Sequence, residues 1–172
     1  MEKGALGIVQ PGEAASHWQP VPANGFVEVL VAPHTVAMEN PAGFGRQTVP
    51  PGCYVREHAH DRSEEIIHVI SGTAHAIIEG ERHAMLPGTT FFLGRNRVHM
   101  FVNDGAEDLV FTWLLLPNGL ETFFAAIGRP RMAGEAPPAP FPRPADVLAI
   151  EQRTVFAPPP PGEGVGGGRK PE

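Results

Sequence analysis

The stretch GCYVREHAHDRSEEIIHVISG, residues 52–72, holds three histidines and four carboxylates. His58 and His60 sit two apart in a segment that reads as β-strand, and side chains at i and i+2 on a strand share one face. Both imidazoles therefore point the same way. Glu64 or Glu65 opens a second apolar strand, EEIIHVI. Paired with the first, it would bring a carboxylate beside the two rings, with one acid of the pair facing inward and its neighbour outward. Two imidazoles and a carboxylate converging inside an apolar barrel suit a first-row transition metal such as Fe, Mn, Co, Ni or Zn. A fourth ligand is then expected from another strand, and His99 in RNRVHMFVN is the best placed.

Around this stretch, the chain is cut by twenty glycines and twenty prolines into short apolar pieces. From residue 26 to 116 the pieces FVEVLVA, EEIIHVI, AHAIIE, TTFFL, VHMFVN and DLVFTWLLL run between turn signals, the spacing of an antiparallel sandwich or barrel. EGER (residues 79–82) and NDGAED (residues 103–108) read as hairpin connections, the second through Asp104-Gly105. Beyond Pro117, NGLETFFAAIG predicts a helix with Asn118 as N-cap, Glu121 three residues later and Gly128 as its stop. Leu120, Phe123, Phe124 and Ile127 form its apolar stripe. GEAPPAPFPRP is too rich in proline for a strand or helix interior and is expected to run extended. ADVLAIEQ predicts a second short helix, and PPPPGEGVGGGRKPE a disordered tail. The expected organisation is an N-terminal arm (residues 1–25), a barrel (26–116), a helical and proline-rich extension (117–157) and a tail (158–172).

Composition bounds the function. At 172 residues, 42% apolar and 19% charged, the chain fits one globular domain. A net charge of -6 leaves no basic surface for nucleic acid. The longest apolar run, residues 109–116, is far shorter than the ~20 residues of a membrane helix. MEKGALGIVQPG lacks the long apolar core of a secretory signal, and the single cysteine, Cys53, excludes an intrachain disulfide. A cytoplasmic protein is expected.

The spacing of the motif residues resembles the cupin superfamily. Gly52, five residues, His58, one, His60, four, Glu65, six, Gly72 resembles its first motif. Gly88, five residues, Gly94, one, Asn96, two, His99, three, Asn103 resembles its second, and fifteen residues separate the two. The chain departs from the family at Gly94 and Asn96, where proline and glycine are usual. Asparagine tolerates left-handed backbone, so the turn is expected to survive. The resemblance implies an all-β cupin-type antiparallel barrel (jelly roll) with one or two short C-terminal helices. It also implies His58, His60, Glu65 and His99 as ligands of one divalent transition metal ion, Fe or Mn favoured, with Ni, Co or Zn possible. Glu64 is then solvent-facing, since only Glu65 gives the six-residue step to Gly72.

Strand parity places Tyr54 and Arg56 on the face of His58 if no bulge intervenes, and turns Phe101 inward and Met100 outward. Tyr54, Arg56 and Phe101 are thus candidate substrate-pocket residues. Arg56 is suited either to a substrate carboxylate or enolate or to a rim ion pair with Glu57 or Asp61. Phe91, Phe92, Phe111 and Trp113 are read as core, Cys53 as a buried inert thiol, and His17, His34, His68, His75 and His83 as surface or hydrogen-bonded residues. Similar small cupins include quercetin-type and diketone-cleaving dioxygenases as well as lyases and isomerases. The resemblance implies a metal-dependent enzyme on a small-molecule substrate, with dioxygenation of a diketone, flavonol or aromatic diol favoured. A non-oxidative lyase or isomerase and a non-catalytic small-ligand binder are the alternatives. A homodimer is expected, with residues 137–144 as a candidate crossing arm.

Overall fold

The computed structural model describes residues 3–156; the tail expected over 158–172 lies outside them. In chain order the elements are β1 (Ala15–Trp18), β2 (Phe26–Val31), β3 (Gly43–Val49), β4 (Tyr54–His58), β5 (Glu64–Ser71), β6 (Ala74–Ile78) and β7 (Glu81–Met85). Then come β8 (Thr90–Leu93), β9 (His99–Val102), β10 (Leu109–Leu116), α1 (Leu120–Ile127), β11 (Arg129–Pro130) and α2 (Val147–Arg153). Seven strands form one antiparallel sheet in the order β11-β1-β2-β3-β10-β5-β8, and four form a second in the order β4-β9-β6-β7. The all-β jelly roll with two short helices is as expected. Within residues 1–25, Ala15–Trp18 is a strand of the larger sheet, paired to Phe26–Val31.

Alternation of apolar and polar residues builds the core. On β5, Glu65, Ile67 and Val69 face inward while Glu64, His68 and Ile70 are exposed, and on β10 Leu109, Phe111, Trp113 and Leu115 are buried in the same way. These strands lie side by side, with Trp113 opposite Ile67 and Leu115 opposite Glu65. Opposite Trp113 on its other side is Gly45, where a Cβ would come within 2.3 Å of both the Trp113 ring and the Glu28 carbonyl. The indole occupies space that only glycine leaves free.

The EGER turn closes the β6-β7 hairpin with Glu79 and Gly80 both at positive φ (51° and 83°), the two-residue geometry that follows strand twist. NDGAED is different. It joins β9 of the smaller sheet to β10 of the larger, so it is a crossing between sheets rather than a hairpin. Buried Asn103 organises it: its Nδ2 donates to the carbonyls of Val49 (2.7 Å) and Glu107 (2.8 Å), and its Oδ1 accepts from the Gly105 amide (3.1 Å). The side chain replaces a hairpin's ladder bonds.

Leu120, Phe123, Phe124 and Ile127 of α1 are all buried, as the stripe predicts, and Phe124 packs against Trp113 with ring centroids 5.5 Å apart. The cap differs. Gly119 is the N-cap, and Glu121 reaches back to bond its amide (2.8 Å) and the Asn118 side chain. The proline-rich segment lies along its own chain: Phe141 is buried, its carbonyl accepts from Val21 N (3.0 Å), and the Arg129 guanidinium sits 4.0 Å over its ring. Phe92 departs from the core reading. It is 65% exposed, because the inward positions of β8 are Phe91 and Leu93. Cys53 is half-buried, with the Asn24 amide 3.5 Å from its sulfur. Among the other histidines, His75 is buried 3.0 Å from Asp104 and His68 is exposed and bonded to Thr90 (2.8 Å).

Candidate metal centre

His58, His60, Glu65 and His99 offer one ligand atom each, all within 4.8 Å of one another. The strands deliver them differently from the simplest reading of the sequence. Glu65 does not lie on a strand paired with that of His58: β4 pairs with β9 in the smaller sheet, and β5 belongs to the larger one. The carboxylate therefore reaches the imidazoles across the barrel interior. His58 and His99 are direct cross-strand neighbours, and His60 follows just beyond the end of β4. Its carbonyl accepts from the Asn96 amide (2.8 Å), and Asn96 itself has φ of 62°. The left-handed turn expected at the family's usual glycine is present.

The rings are fixed by their Nδ1 atoms. His58 Nδ1 bonds the Arg56 carbonyl (2.8 Å), His60 Nδ1 the Val155 carbonyl (2.9 Å) and His99 Nδ1 the Arg97 carbonyl (2.7 Å). A carbonyl only accepts, so each Nδ1 carries the proton and each neutral ring keeps its lone pair on Nε2. This is the second-sphere pattern of metal-binding histidine. His60 Nε2, His99 Nε2 and Glu65 Oε2 are all buried without a hydrogen-bond partner among the described residues. Yet Glu65 Oε2 lies 3.5 Å from His60 Nε2 and 3.2 Å from His99 Nε2. Three buried polar atoms left unbonded at that range carry a cost unless a further group satisfies them. Nitrogen and carboxylate donors converging on one point fit a divalent transition metal ion.

The electrostatics agree. Burial, then the facing rings of His99 and His60, hold His58 well below the ordinary imidazole pKa. Burial also opposes charge on His60, but the adjoining Glu65 carboxylate outweighs it and raises the pKa. Glu65 is buried too, and its contacts with His60 and His99 nonetheless bring it well below the usual carboxylate range. The acid is an anion ready to accept a cation.

A cavity enclosing about 620 Å³, its open mouth included, adjoins the cluster and is bordered by His58 and Glu65. Tyr54, Arg56 and Phe101 line it as well. Parity from His99 does turn Phe101 inward, as expected, but it does not carry Tyr54 and Arg56 there, because a bulge sets Arg56 and Glu57 opposite Met100 alone and turns Val55, paired with Phe101, inward. Tyr54 and Arg56 reach the cavity from an edge strand. Arg56 pairs with neither Glu57 nor Asp61; its Nη2 bonds Oε1 of Glu151 on α2, which Arg143 also bonds through Nη2. Burial and the facing Arg56 charge push Arg143 down to about 10.

Residues 151–156 are the part of the site that sequence reasoning missed. Phe156 packs on His58 and His60 with ring centroids 5.1 and 5.2 Å apart, and Val155 supplies the carbonyl for His60. The only local signal was the apolar pair Val155-Phe156 ahead of the proline run.

Residues 45–115 match the cupin domain family. The solved structure of a predicted oxalate decarboxylase from Thermotoga maritima is 26% identical with a TM-score of 0.57, over 64% of this chain and 99% of that one. The polyketide cyclase RemF from Streptomyces resistomycificus is 15% identical with a TM-score of 0.58, over 76% of this chain and 87% of that one. A sugar phosphate isomerase of the cupin superfamily from Silicibacter pomeroyi is 16% identical with a TM-score of 0.55, over 66% and 77%. The last two share the fold. No curated protein matches the sequence. Among the described residues, no helix is long and apolar enough to cross a membrane.

Proposed function

From a chain that folds as a cupin-type barrel, we propose a metal-dependent enzyme acting on a small oxygenated organic compound. The observation that carries this is the set of three Nδ1–carbonyl hydrogen bonds, which leave three Nε2 lone pairs free in a cluster that the Glu65 carboxylate also enters. Bound there, a divalent metal ion, iron or manganese favoured, supplies Lewis acidity and, as Fe(II), affinity for dioxygen beside a chelating substrate. The protein's own part is positional. His58 and Glu65 border the cavity, so the accessible side of the cluster faces the substrate space. Phe101, Phe111 and Phe156 wall that space with apolar surface and limit water.

The reaction we favour is dioxygenation of a compound with vicinal or β-dicarbonyl oxygens, of the diketone, flavonol or aromatic diol type. Such a pair of oxygens matches a site open on one side. A non-oxidative lyase reaction is the second reading, supported by the 26% identity with a predicted oxalate decarboxylase. An oxygen electrode separates them across a panel of these compounds. Oxygen uptake that matches substrate loss and disappears in His60→Ala supports the first. Conversion without uptake assigns the second, and undiminished turnover by metal-free His60→Ala rules out a metal-dependent enzyme.

A further inference from the structure

Arg56 and Arg143 both direct Nη2 at the same atom, Oε1 of buried Glu151. Two guanidinium charges thus face a single carboxylate, in a chain whose formal net charge is -6. Both arginines line the cavity that His58 and Glu65 line. Among the described residues, Nε and Nη1 of either arginine make no hydrogen bond, and none of these four nitrogens is sealed away from solvent. Partly buried like charges sharing one counter-ion are unfavourable, and a second anion relieves them. A guanidinium presents a planar fork that matches a carboxylate edge to edge, and Glu151 already shows that this corner accepts that group.

We propose that the cavity is built for a carboxylate-bearing substrate, its acid group held by the free edges of Arg56 and Arg143 while its other end reaches the His58 and Glu65 face. This rests on the reading of the cavity as the substrate site. The walls select the remainder of the molecule: Val55, Phe101, Phe111, Trp113 and Phe123 leave an apolar interior suited to a carbon skeleton or ring. Arg56 and Arg143 are positioning and specificity residues.

The test is calorimetric titration of the full-length protein with benzoate and with its neutral counterpart benzamide, as purified and after chelation, with metal content measured in parallel. The expected result is benzoate binding at least about tenfold tighter than benzamide in both states. Arg56→Gln and Arg143→Gln should each weaken benzoate about tenfold while leaving benzamide within about twofold. Glu151→Gln should tighten benzoate, because it removes the competing carboxylate. The Arg–Glu–Arg contact could instead serve only to clasp α2. In that case Glu151→Gln lowers the melting temperature without tightening benzoate, and both arginine variants bind benzoate as the parent does; either result overturns the proposal. So does the absence of benzoate binding, or binding that follows the metal and ignores both arginines. Metal bound without arginine-dependent benzoate binding leaves the metal reading intact; the reverse leaves the anion subsite intact.

Discussion

Nε2 of His99 lies 3.2 Å from Oε2 of Glu65, although the two residues belong to different sheets and the contact makes no aligned hydrogen bond. The pair spans the barrel interior and gives the metal reading its geometry. His99→Ala removes one nitrogen donor from the point where the others meet. Bound metal should fall from about one ion per chain to background, read by elemental analysis of protein purified without chelator. Retention of stoichiometric metal would move the site elsewhere.

Second-sphere support comes from the C-terminal segment, where the Val155 carbonyl holds the His60 ring. A chain ending at Thr154 loses that acceptor and the Phe156 wall, and its metal affinity should drop about 10- to 100-fold. A chain ending at Phe156 retains both and serves as the reference. Equal affinities in a competition titration would remove Val155 from the site.

Metal affinity should weaken as the pH falls. In the metal-free protein, Glu65 raises the His60 pKa, so the stabilisation from that contact is complete below 6.5 and fades as the pH rises through the raised value. His58 and Glu65 are lowered; their contributions require deprotonation and are lost as the pH falls, below 6.5 for His58 and below 4.5 for Glu65. A metal must displace the His60 proton. Because the raised pKa keeps that proton on His60, metal binding should release protons, and more of them as the pH is lowered toward 6.5. Calorimetry in two buffers of different ionisation enthalpy reads this, and no release would contradict the assignment for His60.

Asn96 tests the turn that fixes the His60 backbone. At φ of 62° an alanine is strained, so Asn96→Ala should lower stability by about 1 kcal/mol, while Asn96→Gly should be nearly neutral. Denaturant titration compares the two.

Gly45→Ala should cost about 1–3 kcal/mol, because the added methyl meets both the Trp113 ring and the Glu28 carbonyl at 2.3 Å. Trp113→Phe in the same chain should recover part of the loss, and the thermal midpoints of the three variants give the comparison.

The residue pattern located the cluster, the β6-β7 hairpin and the α1 stripe because each is a local spacing of two, three or four residues. It missed what depends on distant chain. The sequence suggests that the strand of Glu65 could pair with that of His58, but β5 pairs with β8 and β10, Glu65 lying opposite Leu93 and Leu115, and local alternation carries no record of a partner. The bulge opposite Met100 reversed the parity of Arg56 for the same reason: an extra residue shows only once two strands are aligned. Glu151, Val155 and Phe156 return to the barrel from its C-terminal side with no motif of their own.

Anomalous diffraction from crystals of the full-length protein, recorded at the absorption edge of the metal found by elemental analysis, tests the central claim most directly. One peak is expected about 2.0–2.3 Å from Nε2 of His58, His60 and His99 and from the Glu65 carboxylate. A protein whose only metal lies elsewhere, or whose imidazoles diverge with their Nδ1–carbonyl bonds broken, would contradict it.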